Sequence, residues 1–553
     1  MFQKKLKDNL KARRTLKEIG VRKHLWPVER SKGKYYLPPA PYNLSNSAKD
    51  RFCEVLENVK FPDGYASNIS RCVMKRKLSG LKSHDCHVLM QLFLPIAMRE
   101  SVTEKVASVL IELCDFFRAL CSKTLIVQEL TDLKSKVVIT LCNMEKIFPP
   151  TFFTIMVHLV VHLADEAIIA GPVHYRWMYP IERYLSTLSS YVRNKACPEG
   201  SIASGYLLQE CLTYCSRYMA DVDGRVNRST RSNALASDEP TEVSDLFAST
   251  GQPYGKIEGF MMDERQEVQA HRYVLFNSDC KEIEALRDEH IAFLKRIHRR
   301  SRPTQLQLDR MHNEQFSDWL KNFVNDPCNK SYDRISDDVK ALATGPMHVA
   351  KRFHAFDTNN CYRFCTEDYE RNKKTQNSGV MVVAKTQSYA STRDTRPTVG
   401  EVTYYGVLDD IIELNYYNKF KIVLFKCDWA DINHASGIKI DKLKFTLVNL
   451  SRSMYSGNRL TDEPFVFSSQ VHQVIYVQDR TARDWYIPIP IKPRDTFDMG
   501  DEDSEPNHLM EFNETQTSSC VHDQQNVEID IDDLTWMSSD VQGMNVVEKL
   551  STV

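Results

Sequence analysis

The period of the hydrophobic pattern changes once along these 553 residues, and that change limits the chain to a mixed architecture. From Ser45 to about Ala220 apolar residues recur at three- and four-residue spacing, most clearly in Val102–Cys121, Leu125–Ile147, Phe152–Ala170 and Ile202–Met219. That spacing predicts helices. Pro149-Pro150 and Gly171-Pro172 end segments, and Pro180 can open the next helix. From about Gly379 the period is two, in Thr403–Leu408, Ile411–Tyr416, Phe420–Cys427, Phe445–Leu450, Val471–Val477 and Trp485–Ile489. These runs predict antiparallel strands, with Tyr417-Asn418-Lys419 at one hairpin tip.

The expected fold class is therefore α+β and multidomain. A basic segment, 1–44, precedes an all-α domain over 45–220. A polar linker occupies 221–260, and a helical and irregular region, 261–375, carries amphipathic stripes in Ser278–Arg299 and Met311–Val324. A small antiparallel β domain follows at 376–495. The last stretch, 496–553, has too little apolar surface to order itself and reads as a disordered acidic tail.

Charge is divided unevenly along the chain. The net charge of −1 conceals 14 Asp or Glu against one Lys from Asp498 to Val553, which leaves +12 on residues 1–497. Such a body suits a polyanion, although a run of cations is commonly a solvated helix face. The clusters containing Lys75, Arg76 and Lys77, and Arg296, Arg299 and Arg300, are candidates for phosphate contact or nuclear import. Fifteen cysteines without paired spacing imply reduced thiols. No apolar run reaches the 18 to 20 residues or so that crossing a bilayer requires, so no membrane partner is expected.

Two histidine pairs have metal-ligand spacing. His158 and His162 stand four apart in a helical pattern and so share a face, and His84 and His87 flank Cys86. Together they can close one tetrahedral zinc site, and hydrogen-bonded helix histidines are the ordinary alternative. Glu182 sits in a first helical turn, where a carboxylate complements the helix dipole. Tyr404-Tyr405 and Tyr416-Tyr417 suit base stacking or sheet packing. No glycine-rich phosphate loop, nucleophile elbow or kinase signature is present, and no nucleotide cofactor is expected.

Longer motifs carry a resemblance. Gly80-Leu81-Lys82-Ser83-His84-Asp85-Cys86-His87, Phe148-Pro149-Pro150-Thr151-Phe152-Phe153, Met156-Val157-His158-Leu159-Val160-Val161-His162, Gly171-Pro172-Val173-His174-Tyr175-Arg176-Trp177-Met178-Tyr179-Pro180-Ile181-Glu182 and Asn194-Lys195-Ala196-Cys197-Pro198-Glu199-Gly200 resemble proteins of plant CACTA (En/Spm-type) transposons. They match the helical domain of unknown function that follows the transposase core. Tyr405-Gly406-Val407-Leu408, Ile412-Glu413-Leu414-Asn415-Tyr416, Val423-Leu424-Phe425-Lys426-Cys427-Asp428-Trp429 and Asp462-Glu463-Pro464-Phe465 resemble a second domain of unknown function from the same proteins.

The resemblance implies an enzyme class that is similar to RNase H-like transposases, in which two aspartates and a glutamate hold two divalent metals. In related enzymes a zinc-binding helical insertion precedes the glutamate, and His84/His87, His158/His162 and Glu182 follow that order. Glu182 is then a third carboxylate, catalytic only if the two aspartates are supplied in trans. Asp8, Asp50 and Asp63 precede His84 in helical or turn contexts, and Tyr35-Tyr36-Leu37-Pro38-Pro39 reads as a turn, so no β-run presents an aspartate. The resemblance thus implies the C-terminal part of a transposase without chemistry of its own: a nuclear (alternatively cytoplasmic) DNA-binding or assembly module. Its expected partners are DNA and full-length transposase or a second copy, and one structural zinc is its expected cofactor. The alternatives are a protein-interaction scaffold that binds no DNA and a subunit of a two-metal DNA transferase completed in trans.

Overall fold

The computed structural model describes residues 8–218 and 251–491, with breaks at 32, 64, 66–68, 82, 302, 327–334, 360–361, 389–397, 418, 456–458 and 481, together with Phe247 and 544–547. It is an α+β structure, helical in its N-terminal half and built on a large antiparallel sheet in its C-terminal half.

Helix starts follow local chemistry. α1 (Leu10–Ile19) begins where the Asn9 side chain accepts the Ala12 N–H at 3.1 Å, and α2 (Asn46–Asn58) where the Ser45 hydroxyl accepts that of Ala48 at 3.0 Å. Between them lies a hairpin of β1 (Val28–Ser31) and β2 (Lys34–Leu37), so Tyr35-Tyr36-Leu37 is a strand rather than the expected turn. A second hairpin, β3 (Val73–Met74) with β4 (Lys77–Leu78), precedes α3 (Ser83–Val88). A π-helical turn, Leu89–Phe93, joins α3 to α4 (Leu94–Arg99), at whose start Pro95 lacks the N–H of a regular ladder. α5 (Glu104–Leu120), α6 (Val127–Ile147) and α8 (Leu163–Ala170) bury Phe116, Leu130, Val137 and Ala167 against one another. The run Phe152–Ala170 is not one helix: α7 (Ile155–Leu159) and α8 meet at a 3₁₀ turn, Val160–His162. α9 (Tyr179–Ser190) and α10 (Pro198–Tyr218) end this half.

The sheet begins earlier than the alternating runs indicated. β5 (Gly251–Met261) falls in the span expected to be linker, and β6 (Val349–Thr358) and β7 (Arg363–Cys365) fall in the span expected to be helical and irregular. β5 carries three glycines and a proline and is largely exposed, with β6 its one recorded neighbour, which is why no alternation marked it. Between β5 and β6 lie α11 (Glu264–Asn277), α12 (Lys281–Ile297), α13 (Gln305–Asn325) and α14 (Asp337–Thr344); α15 (Glu367–Glu370) follows β7. Then come β8 (Gly379–Ser388), β9 (Thr398–Tyr416), β10 (Phe420–Trp429), β11 (Ile438–Ile440), β12 (Thr446–Asn449), β13 (Phe465–Phe467), β14 (His472–Gln478) and β15 (Trp485–Pro490). Two expected strands merge into β9, which bends at Asp409, a residue unpaired at a bulge between the Lys426–Asp410 and Cys427–Leu408 pairs. The β9–β10 turn falls at 417–419 as expected, with Tyr417 at φ 50° and Asn418 outside the described residues. The acidic tail lies outside the described residues except β16 (Met544–Val547), a strand where none was expected.

The main sheet runs β11-β12-β15-β14-β8-β9-β10-β13, and β6 joins β9 and carries β5 and β7. Helices cover its two ends separately. α11–α14 pack Val274, Ile283, Phe316, Leu320 and Leu342 against Ile412, Leu414, Ile422 and Leu424 of β9 and β10. At the other end, α2, α3, the π turn and α4 pack Leu56, Val88, Phe93 and Ile96 against Leu447, Ile475, Val477, Ile487 and Ile489. The prolines of β15, Pro488 and Pro490, lie beyond its pairing with β12 at Trp485 and Tyr486, where β14 is its one recorded neighbour.

An ion cluster sits beside that second contact. The Arg99 guanidinium donates to Asp441, to Asp479 at 3.0 Å and to Glu100 at 2.9 Å, joining α4 to two loops of the sheet. Burial works against the Arg99 charge, but the carboxylates of Asp441 and Asp479 outweigh it and hold its pKa up; burial, with Asp479 nearby, raises that of Glu100. Arg99→Ala leaves three carboxylates facing one another with no cation among them. It should cost about 3 kcal/mol in chemical denaturation at pH 7, and the deficit relative to wild type should shrink toward pH 5 as the carboxylates take up protons in the fold.

The α11–α14 layer encloses three buried histidines. His290 and His312 are hydrogen-bonded through Nδ1 atoms 2.7 Å apart and walled by Phe276, Phe316 and Trp319. His271 Nδ1 meets the Tyr416 hydroxyl at 3.1 Å. Burial lowers all three imidazole pKa values, to about 4 for His271 and for His312. The fold therefore holds them neutral while the unfolded chain protonates near 6.5, so stability falls as pH drops from about 6.5 toward 4. A His290→Leu/His312→Leu variant should lose less stability between pH 7.5 and 5 than wild type, as measured by urea midpoints. An unchanged pH slope would contradict the assignment.

Candidate functional site

Among the described residues, those expected to form a metal-bearing catalytic corner are not drawn together as a group. Glu182 lies in the first turn of α9 with its side chain in solvent and its N–H donating to the Met178 carbonyl at 2.8 Å. His158 and His162 do meet, edge to face with ring centroids 5.2 Å apart, both exposed at the α7–α8 seam. His87 is half-buried against Trp177 at 6.0 Å, and Trp177 also packs on His174 at 4.8 Å. Burial lowers the His87 pKa. His84 belongs to α3, but its side chain is outside the described residues. Among the described residues no three His, Cys, Asp or Glu side chains are grouped to hold a metal ion. Two exposed imidazoles are half of a tetrahedral set, so the described residues do not by themselves fit a zinc centre.

The early aspartates are engaged by arginines. Asp8 pairs with Arg13, Asp50 with Arg76 and Asp63 with Arg363, and none of the three lies on a strand.

Lys75, Arg76 and Lys77 are exposed on the β3–β4 hairpin, where Lys75 (φ 47°) and Arg76 (φ 64°) both take the left-handed conformation that such turns normally assign to Asn and Gly. Arg76 is already held by Asp50 at 2.5 and 2.7 Å. Arg296, Arg299 and Arg300 lie exposed at and beyond the C-terminal end of α12, where cations complement the helix dipole. Of the tyrosines, Tyr405 and Tyr416 are buried in the sheet, Tyr404 is half-buried and Tyr417 exposed.

The most unusual surface was not anticipated from sequence. α9 and α10 form a helical hairpin in which no described residue is buried. It is fastened by the Ser201 hydroxyl, which accepts the Asn194 N–H at 3.2 Å, and by Gly205, where a Cβ would lie 2.7 Å from the Tyr191 side chain. Yet Leu185, Leu207, Leu208 and Leu212 are 56–58% exposed, beside Ile181, Tyr184 and Tyr214. α7 and α8 add Ile155, Met156 and Ile169. Apolar spacing shows that a helix has a face to bury, but it does not show whether the same chain supplies the cover.

Comparison with known proteins bears on this region. A family model for a domain of unknown function, DUF4218, matches residues 120–233, and a second, DUF4216, matches residues 412–488. Both domains are typically found in plant transposase-derived proteins. The first match takes in the exposed hairpin, and the second runs from the later half of β9 to β15. No curated protein and no solved structure matches the chain.

Proposed function

We propose that this chain is an assembly module derived from a CACTA-type transposase, without chemistry of its own, and that its partner is a full-length transposase. One observation carries the reading: the α9–α10 hairpin, inside the region typical of transposase-derived proteins, has an apolar face and no buried side chain among its described residues. Short helices are marginal in water unless an amphipathic face is covered, and large exposed apolar patches mark interaction sites. The covering surface is then an apolar face on the partner, and its place of action is the nucleus. Engagement of Asp8, Asp50 and Asp63 by arginines supports a module that leaves cutting and joining of DNA to that partner.

DNA contact is a second reading, supported by the exposed cations on the strained β3–β4 turn. Left-handed backbone at two non-glycine residues costs energy and is often kept at functional sites. If the tip touches duplex, Lys75→Ala/Lys77→Ala should lower the slope of log affinity against log salt by about two units, and an unchanged slope would remove the tip from the interface.

For the assembly reading, Leu185→Lys/Leu208→Lys/Leu212→Lys should weaken association with purified full-length transposase at least about tenfold, read by sedimentation velocity. Because all three side chains are exposed in the free chain, its own unfolding free energy should change by less than about 0.5 kcal/mol per site. Undiminished association would contradict the reading.

A further inference from the structure

The N-terminal hairpin is completed by a strand from the far end of the chain. β2 carries β1 along one edge and β16 along the other, antiparallel in both cases. Met544 stands opposite Leu37, Asn545 opposite Tyr36, Val546 opposite Tyr35 and Val547 opposite Lys34, so each residue of β2 has a counterpart in β16. Without that strand the hairpin would be two four-residue strands with an irregular register between Glu29 and Ser31 and a turn that places Gly33 at φ 76°. A two-stranded hairpin of this size is marginal in water, and a bare edge of β2 would present unpaired N–H and C=O groups to any extended peptide.

β2 also has a contact that does not involve β16: the Arg14 guanidinium of α1 lies 4.7 Å from the centre of the Tyr35 ring. Among the described residues β16 pairs only with β2, and residues 492–543 separate it from the rest of the sheet-bearing half. Charge favours the same pairing. Lys11, Lys17, Lys23, Arg30 and Lys34 are exposed around the hairpin, while the sequence leading into β16 contains Asp530, Asp532, Asp533 and Asp540.

We propose that the outer edge of β2 is a strand-addition site for an extended peptide with apolar alternate residues and an acidic flank, and that the chain's own C-terminal strand occupies it as a plug. Main-chain hydrogen bonds supply affinity in such sites, and alternate side chains supply selectivity. A partner that reads this edge must displace residues 544–547, so the tail sets a threshold for its binding.

The test uses the full chain and its Asn545→Pro/Val546→Pro variant, since proline at adjacent positions removes N–H groups of both strand parities. The probe is a fluorescein-labelled peptide of residues 528–550. It should bind the variant at least about tenfold more tightly than wild type, because the tethered plug no longer competes. Hydrogen exchange across residues 28–37 should be faster in the variant and slow again when the peptide saturates it. The same peptide with prolines at 545 and 546 should bind neither chain. Equal affinities, unaltered exchange at 28–37 or binding of the proline peptide would overturn the proposal. Protection of 28–37 that grows with wild-type concentration would overturn the intramolecular plug in favour of exchange between copies.

Discussion

The apolar contact between the N-terminal helices and the far end of the sheet is what makes this chain one structure. Leu447, Ile475, Val477, Ile487, Ile489 and Ile491 face Leu56, Val88, Phe93 and Ile96 across it, although some 350 residues or more of sequence separate the two sides. At roughly 1.5–3 kcal/mol per buried aliphatic side chain, the six sheet residues alone bring on the order of 10 kcal/mol, an upper estimate given the compactness of unfolded chains. That equals the whole net stability of a typical domain. The sheet end therefore depends on the helices that precede it, and the Arg99 cluster fixes the geometry of the join.

Once that contact is made, the remaining helices divide by whether they find cover. α5, α6 and α8 share a core with one another, and α11–α14 share one with β9 and β10. Among the described residues, α9 and α10 share none. The apolar face left over is then a property of the whole arrangement, because the sheet's two ends are already occupied by α2–α4 and by α11–α14. The same logic gives the β1–β2 hairpin its third strand: an edge too short to stand alone is finished by residues from the other terminus.

Much of this was legible in the sequence. Spacing placed α5, α6, α10 and α12 within a few residues and found all but the first turns of α13, and alternation placed β10, β12, β14 and β15. Among the strands it missed, β1–β2 and β3–β4 are hairpins of two to four residues per strand, too short for alternation to show, β5 is an exposed edge rich in glycine, and β16 pairs with β2 from the other end of the chain. The candidate site was legible only as residue types. Four-residue spacing brought His158 and His162 together as expected, since adjacent turns stay adjacent even across a 3₁₀ step. Spacing cannot report where His87 or Glu182 lies relative to that pair, and among the described residues no third ligand joins it. Nor can periodicity distinguish a face covered by the same chain from one left open, which is why the α9–α10 surface emerged only from packing.

The most direct measurement is a hydrogen-exchange footprint of the intact chain, alone and mixed with purified full-length transposase. Amides of 179–214 should be among the fastest-exchanging of any helix in the free chain and should gain protection in the mixture, while those of α2, α4 and β14 stay slow in both. Slow exchange of the hairpin in the free chain, or a mixture that protects other segments and leaves 179–214 unchanged, would contradict the account.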